Sequence, residues 1–211
     1  LASAADEAKD QTYMLAGLSP SSLRRMRFPL AELTKAEVRA IASERGLEGA
    51  GRAESQDLCF LAGQGKRAFL RRQAGLDERP GAIVTAAGEV VGRHPGFHEF
   101  TVGQRRGLGL GGGEPRYVLG TDAGANTVTV GPREALETEE IRVRAVRMHR
   151  DAARVDGVRL RYHAPVRACS LSVRGGGEAT LSLREPTGRV APGQLACLLD
   201  GDLVVGHATI A

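Results

Sequence analysis

Residues 194–210 read QLACLLDGDLVVGHATI. Two short, mostly alternating apolar runs flank Asp200-Gly201-Asp202, which is the signature of two strands joined by a tight turn. The same signature recurs upstream in EIRVRAVRMH (140–149), GVRLRYH (157–163), VRACSLSVR (166–174) and EATLSLRE (178–185). Gly, Pro and Asp separate these runs, as in RGGGE and REPTGRVAPG. Regular short strands of this kind predict a small β-barrel, with a sandwich as the alternative.

Moving toward the N-terminus, RYVLGTDAGANTVTVG (116–131) reads as a hairpin turning at 123–126, and GAIVTAAGEVVG (81–92) as two strands around Ala87-Gly88. Before Pro80 the pattern is helical. Ser19 and Pro20 form a standard helix start. Thr34 and Glu37 form a capping box, Leu33 and Val38 stand where a hydrophobic staple would, and Val38, Ile41 and Ala42 make one apolar stripe that stops at Gly46. A further short helix is predicted over GKRAFLRRQ, ending at Gly75. The patterning therefore predicts a mainly helical N-terminal part to about residue 75, a β-rich middle to about residue 135 and a β-barrel from there to the end.

Composition narrows the class. The chain is 42% apolar with five Phe, three Tyr and no Trp, so its cores rest on Leu, Val, Ala and Ile. Cysteines at 59, 169 and 197 are odd in number and lack Cys-x-x-Cys spacing, which argues against a disulfide framework and a structural zinc site and favours a reducing, cytoplasmic setting. No apolar run approaches the roughly 18–20 residues of a membrane span. The net charge is only +4, but eight arginines (142, 144, 147, 150, 154, 159, 161, 167) face two aspartates (151, 156) within 142–167. Such a field suits a polyanion, although a solvated strand face has the same composition. The chain begins with Leu1, so either the start was processed or this is part of a longer protein.

Chemistry centres on ESQDLCFL (54–61). Cys59 follows the polar run Glu54, Ser55, Gln56 and Asp57, which places its thiol at a loop end. It is either a small core residue or a nucleophile, and Asp57 by itself disfavours a thiolate. Cys169 and Cys197 lie inside alternating strands and read as core. In GFHEFTVGQRRGLGLGGGEPRYVLG (96–120), Gln104, Arg105 and Arg106 precede a glycine run suited to close backbone approach and phosphate contact; a solvated arginine pair on a loop is the other reading. The stretch is neither a Walker loop nor a dinucleotide fingerprint. His94 and His98 in a β-rich region make a poor metal pair.

In order, KDQTYML, FPLAELTKAEVRAIA, ESQDLCFL, PGAIVTAAGEVVGRHPGFHEFTVGQRRGLGL, RYVLGTDAGANTVTVG, VRLRYHAP and APGQLACLLDGDLVVGHATI closely resemble the tRNA-specific 2-thiouridylase family nearly end to end. HEFTVGQRRGLGL and SQDLCF are the most specific of these. The resemblance implies replacement of the C2 oxygen of the wobble uridine (position 34) of certain tRNAs by sulfur. ATP adenylates that oxygen, a cysteine persulfide delivers sulfur, and AMP leaves. It implies Cys59 as the persulfide carrier, and tRNA contact by Lys9, Asp10 and Gln11 (the KDQ segment), Arg161 and Tyr162 (the RY pair) and Gln194 (of PGQ). Arg105 and Arg106 are added here on their own chemistry, as backbone contacts or domain packing. The implied partners are tRNA and a persulfide sulfur donor or cysteine desulfurase, with ATP and Mg²⁺ held by an N-terminal ATP pyrophosphatase domain; no membrane and no structural metal are expected.

The chain departs from the family pattern in lacking a Ser-Gly-Gly-x-Asp-Ser phosphate loop and any cysteine before Cys59. The resemblance therefore implies that the chain begins near the end of the pyrophosphatase domain, with a mainly helical α/β remnant of it that carries Cys59 (1–62), a β-rich central domain (63–135) and a C-terminal β-barrel (136–211), and that it does not thiolate tRNA alone. An RNA-binding scaffold and a split or degenerate gene product are the alternatives. The last strand carries His207 where a Gly-Gly pair is usual.

Overall fold

A computed structural model describes residues 1–48, 50–51, 79–111 and 114–211. They group into two compact units. One contains the N-terminal segment to residue 51 with Glu139–Pro186 and Pro192–Ala211; the other contains residues 79–138 with Thr187–Ala191.

The N-terminal segment holds three short helices, α1 (Thr12–Leu15), α2 (Pro20–Leu23) and α3 (Lys35–Glu44). Their ends follow local chemistry. Ser19 Oγ accepts from the Ser22 N–H with Pro20 in the first helical position. The Thr34 N–H donates to Glu37 Oε2 at 2.7 Å while the Glu37 N–H donates to Thr34 Oγ1 at 3.3 Å, closing the expected capping box. Gly46, at φ 63°, provides the left-handed residue after α3. The helix predicted over GKRAFLRRQ lies outside the described residues.

The unit containing residues 79–138 is built on a four-stranded sheet ordered β2-β1-β4-β3, from β1 (Gly81–Thr85), β2 (Val90–His94), β3 (Tyr117–Asp122) and β4 (Thr127–Gly131). Both predicted hairpins form, β1 with β2 and β3 with β4. Asn126, at φ 53°, closes the second turn. The two hairpins join through a parallel β1–β4 pairing, and Ile83, Val118, Val128 and Val130 are buried between them and Leu108.

The C-terminal strands close a six-stranded barrel ordered β10-β5-β8-β7-β6-β9, so the barrel reading holds over the sandwich. The strands are β5 (Glu137–Met148), β6 (Gly157–Arg159), β7 (Arg167–Gly175), β8 (Glu178–Gly188), β9 (Leu195–Asp200) and β10 (Leu203–Ile210). Closure removes the free sheet edges. Strand β5 alternates as a barrel strand should, with Ile141 and Val143 buried and Arg142 and Arg144 exposed. Strand β9 does not alternate: Ala196, Cys197, Leu198 and Leu199 are all buried. One face of β9 fills the barrel, and the other, at Cys197 and Leu199, is covered by Tyr13 and Ala16.

Candidate nucleic-acid interface

The site begins with that cover. The Tyr13 hydroxyl donates to the Leu195 carbonyl at 2.8 Å, and Val204 N donates to the Leu1 carbonyl at 2.9 Å. Ala2 bridges to Leu203, and Ser3 N donates to the Asp202 carbonyl at 3.1 Å. Backbone pairing and a small apolar cluster thus seat the N-terminal segment on the β9–β10 hairpin.

Asp10 locks it there. Its carboxylate, 4% exposed, accepts from the Thr12 N–H at 3.0 Å, the Thr12 hydroxyl, the Ala4 N–H at 3.3 Å and Arg159 Nη1 at 2.6 Å. Burial pushes the carboxyl pKa up, but the hydrogen bonds from Thr12, Arg159 and Ala4 together outweigh it and hold Asp10 below the ordinary aspartate value. Arg159 lies opposite Cys197 in the β6–β9 pairing, so its side chain leaves the barrel on the face that α1 covers. Of the KDQ segment, Lys9 and Gln11 are therefore exposed on either side of a buried, fully engaged Asp10.

The pairing brings distant motifs together. Just beyond Arg159, Tyr162 places its ring 6.5 Å from that of Tyr13, and the Arg161 charge is near enough to act on the Tyr13 phenol. Arg161 and Tyr162 are exposed, and the Tyr162 ring lies 3.9 Å from that of His163, a residue held at φ 59°. Gln194 precedes the Leu195 carbonyl that Tyr13 grips, and its own carbonyl accepts from Ile210 N at 2.8 Å. The segments that carry Lys9, Gln11, Arg161, Tyr162 and Gln194 are thus joined at the outer barrel wall through Asp10–Arg159, Tyr13–Leu195 and the Tyr13–Tyr162 ring contact, with Lys9, Gln11, Arg161 and Tyr162 exposed. Cations track phosphates and aromatic faces stack unpaired bases. Tyr13 and Arg159, which build the patch, were not singled out in the sequence as site residues. Arg159 had only its place in the basic run as a signal, and Tyr13 only its place after KDQ.

The remaining candidates lie elsewhere. Cys59 is outside the described residues. Arg105 and Arg106 are exposed in the other unit, where Gln104 organises its own loop by accepting from Thr101 N and donating to the Arg106 carbonyl. Arg105 lines an open cleft with Arg116, but Glu89 and Glu114 offset their charge. Burial pushes the Cys169 thiol up to about 11 and the Cys197 thiol up to about 12, as befits core residues. His94 is buried against Phe100, and no group of three or more metal-ligating side chains occurs among the described residues.

Residues 1–63 match the family described as tRNA methyl transferase HUP domain. Residues 67–132 match the tRNA methyl transferase PRC-barrel domain, and 135–210 the aminomethyltransferase beta-barrel domain. The tRNA-specific 2-thiouridylase of Chloroflexus aggregans is 43% identical over 212 residues, covering 99% of this chain and 59% of the relative. Those of Thermobifida fusca and Nocardioides sp. are 45% and 44% identical, covering 98% and 99% of this chain. The chain belongs to the tRNA-specific 2-thiouridylase family. It spans just under three fifths of the length of these 2-thiouridylase relatives, 57–59%.

Proposed function

We propose that this 2-thiouridylase chain supplies the tRNA-gripping part of an ATP-dependent 2-thiolation of wobble uridine 34. One observation carries the reading: three segments far apart in sequence, 9–11, 161–162 and 194, meet on one face of the barrel unit, held by the Asp10–Arg159 pair and the Tyr13–Leu195 bond. On this reading Lys9, Gln11, Arg161, Tyr162 and Gln194 contact tRNA, and Asp10 serves the contact by fixing its two neighbours. Arg105 and Arg106 add a backbone contact or domain packing.

Cys59 is the proposed persulfide carrier. Its terminal sulfur attacks C2 of the adenylated uridine, AMP departs with the former C2 oxygen, and reduction of the remaining sulfur–sulfur bond by a thiol frees 2-thiouridine and leaves Cys59 in a disulfide with that thiol. A persulfide donor protein or cysteine desulfurase loads Cys59. The HUP-domain match is in keeping with ATP use. The 211 residues contain no Ser-Gly-Gly phosphate loop, so ATP and Mg²⁺ are assigned to no residue of this chain, and this chain alone does not thiolate. The proposed domain division is 1–62, 63–135 and 136–211, and the proposed compartment is the cytoplasm. No helix among the described residues is long and apolar enough to cross a membrane.

The test is fluorescence anisotropy with a labelled tRNA bearing a wobble uridine. Saturable binding by the wild type and loss of affinity in a Lys9→Ala/Arg161→Ala variant are expected; equal affinity of the two overturns the assignment. Digestion of tRNA incubated with the chain, ATP and a persulfide donor is expected to yield no 2-thiouridine above a protein-free control. If the tRNA binds but no thiolation follows, the chain is an RNA-binding module of the reaction rather than a self-sufficient catalyst.

A further inference from the structure

Strand β5 carries Arg142, Arg144 and Arg147. In an unbroken strand, side chains alternate with a period of two, so Arg142 and Arg144 would share one face and Arg147 would point to the other, into the barrel. The strand is not unbroken. Arg144 lies opposite Thr209 and Arg147 opposite His207, so Ala145 and Val146 together face the single residue Ala208. That is a β-bulge, and Ala145 adopts φ 52°, a conformation unusual for a residue with a Cβ. Val146 N turns to the Gly177 carbonyl at 3.0 Å, which anchors the extra residue.

The bulge re-aims Arg147. Directly opposed residues in an antiparallel pair share a face. His207 lies opposite Cys197, and Thr209 opposite Leu195, on the outer wall that α1 covers. Arg144 and Arg147 therefore stand on the same outer wall, one strand beyond the cover. Arg142 joins them by simple alternation, since Ile141 and Val143 are buried. All three are exposed, and none forms an ion pair with a carboxylate among the described residues, whereas Arg154, Arg159 and Arg167 pair with Asp200, Asp10 and Glu185. Glu140, the preceding outward position, is itself engaged. A strained alanine that brings three unneutralised guanidinium groups into line is a device for holding a row of negative charges.

We propose that Arg142, Arg144 and Arg147 form a second contact with the same RNA, a sequence-independent grip on its sugar–phosphate backbone along the outer wall of β5. Successive outward positions on a strand are about 7 Å apart, so long arginine stems reach successive phosphates. The strip carries no ring to read a base, so it adds affinity and salt sensitivity without sequence preference. The inference rests on the reading that RNA is the partner.

The experiment is a salt titration of tRNA binding by the full chain, with log K plotted against log of the salt concentration. Each lost phosphate contact lowers the slope by about 0.9, so an R142Q/R144Q/R147Q variant is expected to lose about 2.7 of slope; between about 50 and 200 mM salt the wild type then weakens roughly 40-fold more than the variant. A triple Arg→Lys variant keeps the slope, because the contact is with point charges. R154Q, which removes an arginine already paired with Asp200, leaves the slope unchanged. A cooperative melt for each variant confirms folding. If the wild type binds tRNA and the Gln variant retains its slope, or R154Q lowers the slope as much per charge, the β5 strip is overturned while the RNA reading stands. If the wild type fails to bind tRNA at low salt, both fall together.

Discussion

Asp10 and Arg159 pair at 2.6 Å although 149 residues separate them in the chain. The carboxylate is almost wholly buried and the guanidinium side chain is 18% exposed, so the pair sits at the join of the N-terminal segment and the barrel wall. It is the point at which two of the proposed RNA-contact motifs become one surface.

Replacing Asp10 by Ala strands a largely buried guanidinium and leaves the Thr12 and Ala4 N–H groups without their acceptor. A loss on the order of 3–5 kcal/mol is expected from urea unfolding. A D10L/R159M double variant costs less than the sum of the two single changes, because no unpaired charge remains. The acid limb has a definite sign. Since the folded pKa of Asp10 is lowered, its stabilisation is fully present above the unfolded value of 3.8 and is lost as pH falls through the folded value. D10N flattens that limb; an unchanged limb would show that other carboxylates govern it.

His94, 2% exposed, contributes with a parallel sign in the other unit. Burial lowers its pKa below 6.5; nearby His98 acts the same way, while the Asn126 carbonyl and Glu99 oppose it. Neither ring nitrogen has a hydrogen bond of good geometry, so the Asn126 carbonyl gives only partial relief. The unfolded chain thus binds a proton first. Stability carried by a neutral His94 is complete above pH 6.5 and is lost as pH falls toward the folded value. Protection of the β1 and β4 amides, taken relative to their intrinsic exchange rates, should fall as pH drops below 6.5, and H94Q should remove that loss. Reading these amides separates His94 from His207, whose pKa burial also lowers, in the barrel unit.

Thiol chemistry should divide the cysteines. With thiols at about 11 and about 12 and side chains buried, Cys169 and Cys197 resist iodoacetamide at neutral pH in the native protein. Cys59, as the proposed persulfide carrier, takes up one label. Intact mass followed by peptide mapping reads this directly, and labelling of Cys197 before Cys59 would contradict the division.

Tyr162 tests the stacking role. Tyr162→Ala is expected to weaken tRNA binding by about 1–3 kcal/mol, roughly 5- to 150-fold, whereas Tyr162→Phe stays near wild type because the ring face is kept. Equal losses in both would place the effect on the hydroxyl instead.

Much of this was legible in the sequence because it is local. The Thr34–Glu37 box, the Ser19-Pro20 start, both central hairpins and the short strands of the barrel each depend on residues within a few positions of one another. The buried reading holds for both Cys169 and Cys197, but only Cys169 owes it to alternation along its strand; Cys197 lies on a strand that does not alternate and is buried by the cover of Tyr13 and Ala16. The sequence by itself thus determined the elements, their class and the family. Only the tertiary structure decided which faces meet. The parallel β1–β4 pairing, the closure of β10 on β5, the burial of Asp10 between two exposed neighbours and the seating of Tyr13 on Leu195 all join positions far apart in the chain. Periodicity records that a residue has an inner or outer side, not which distant surface covers it. The bulge at Ala145 marks the same boundary: the arginine spacing 142, 144, 147 is plain in the sequence, but the face they share exists only because β5 pairs with β10 two residues against one.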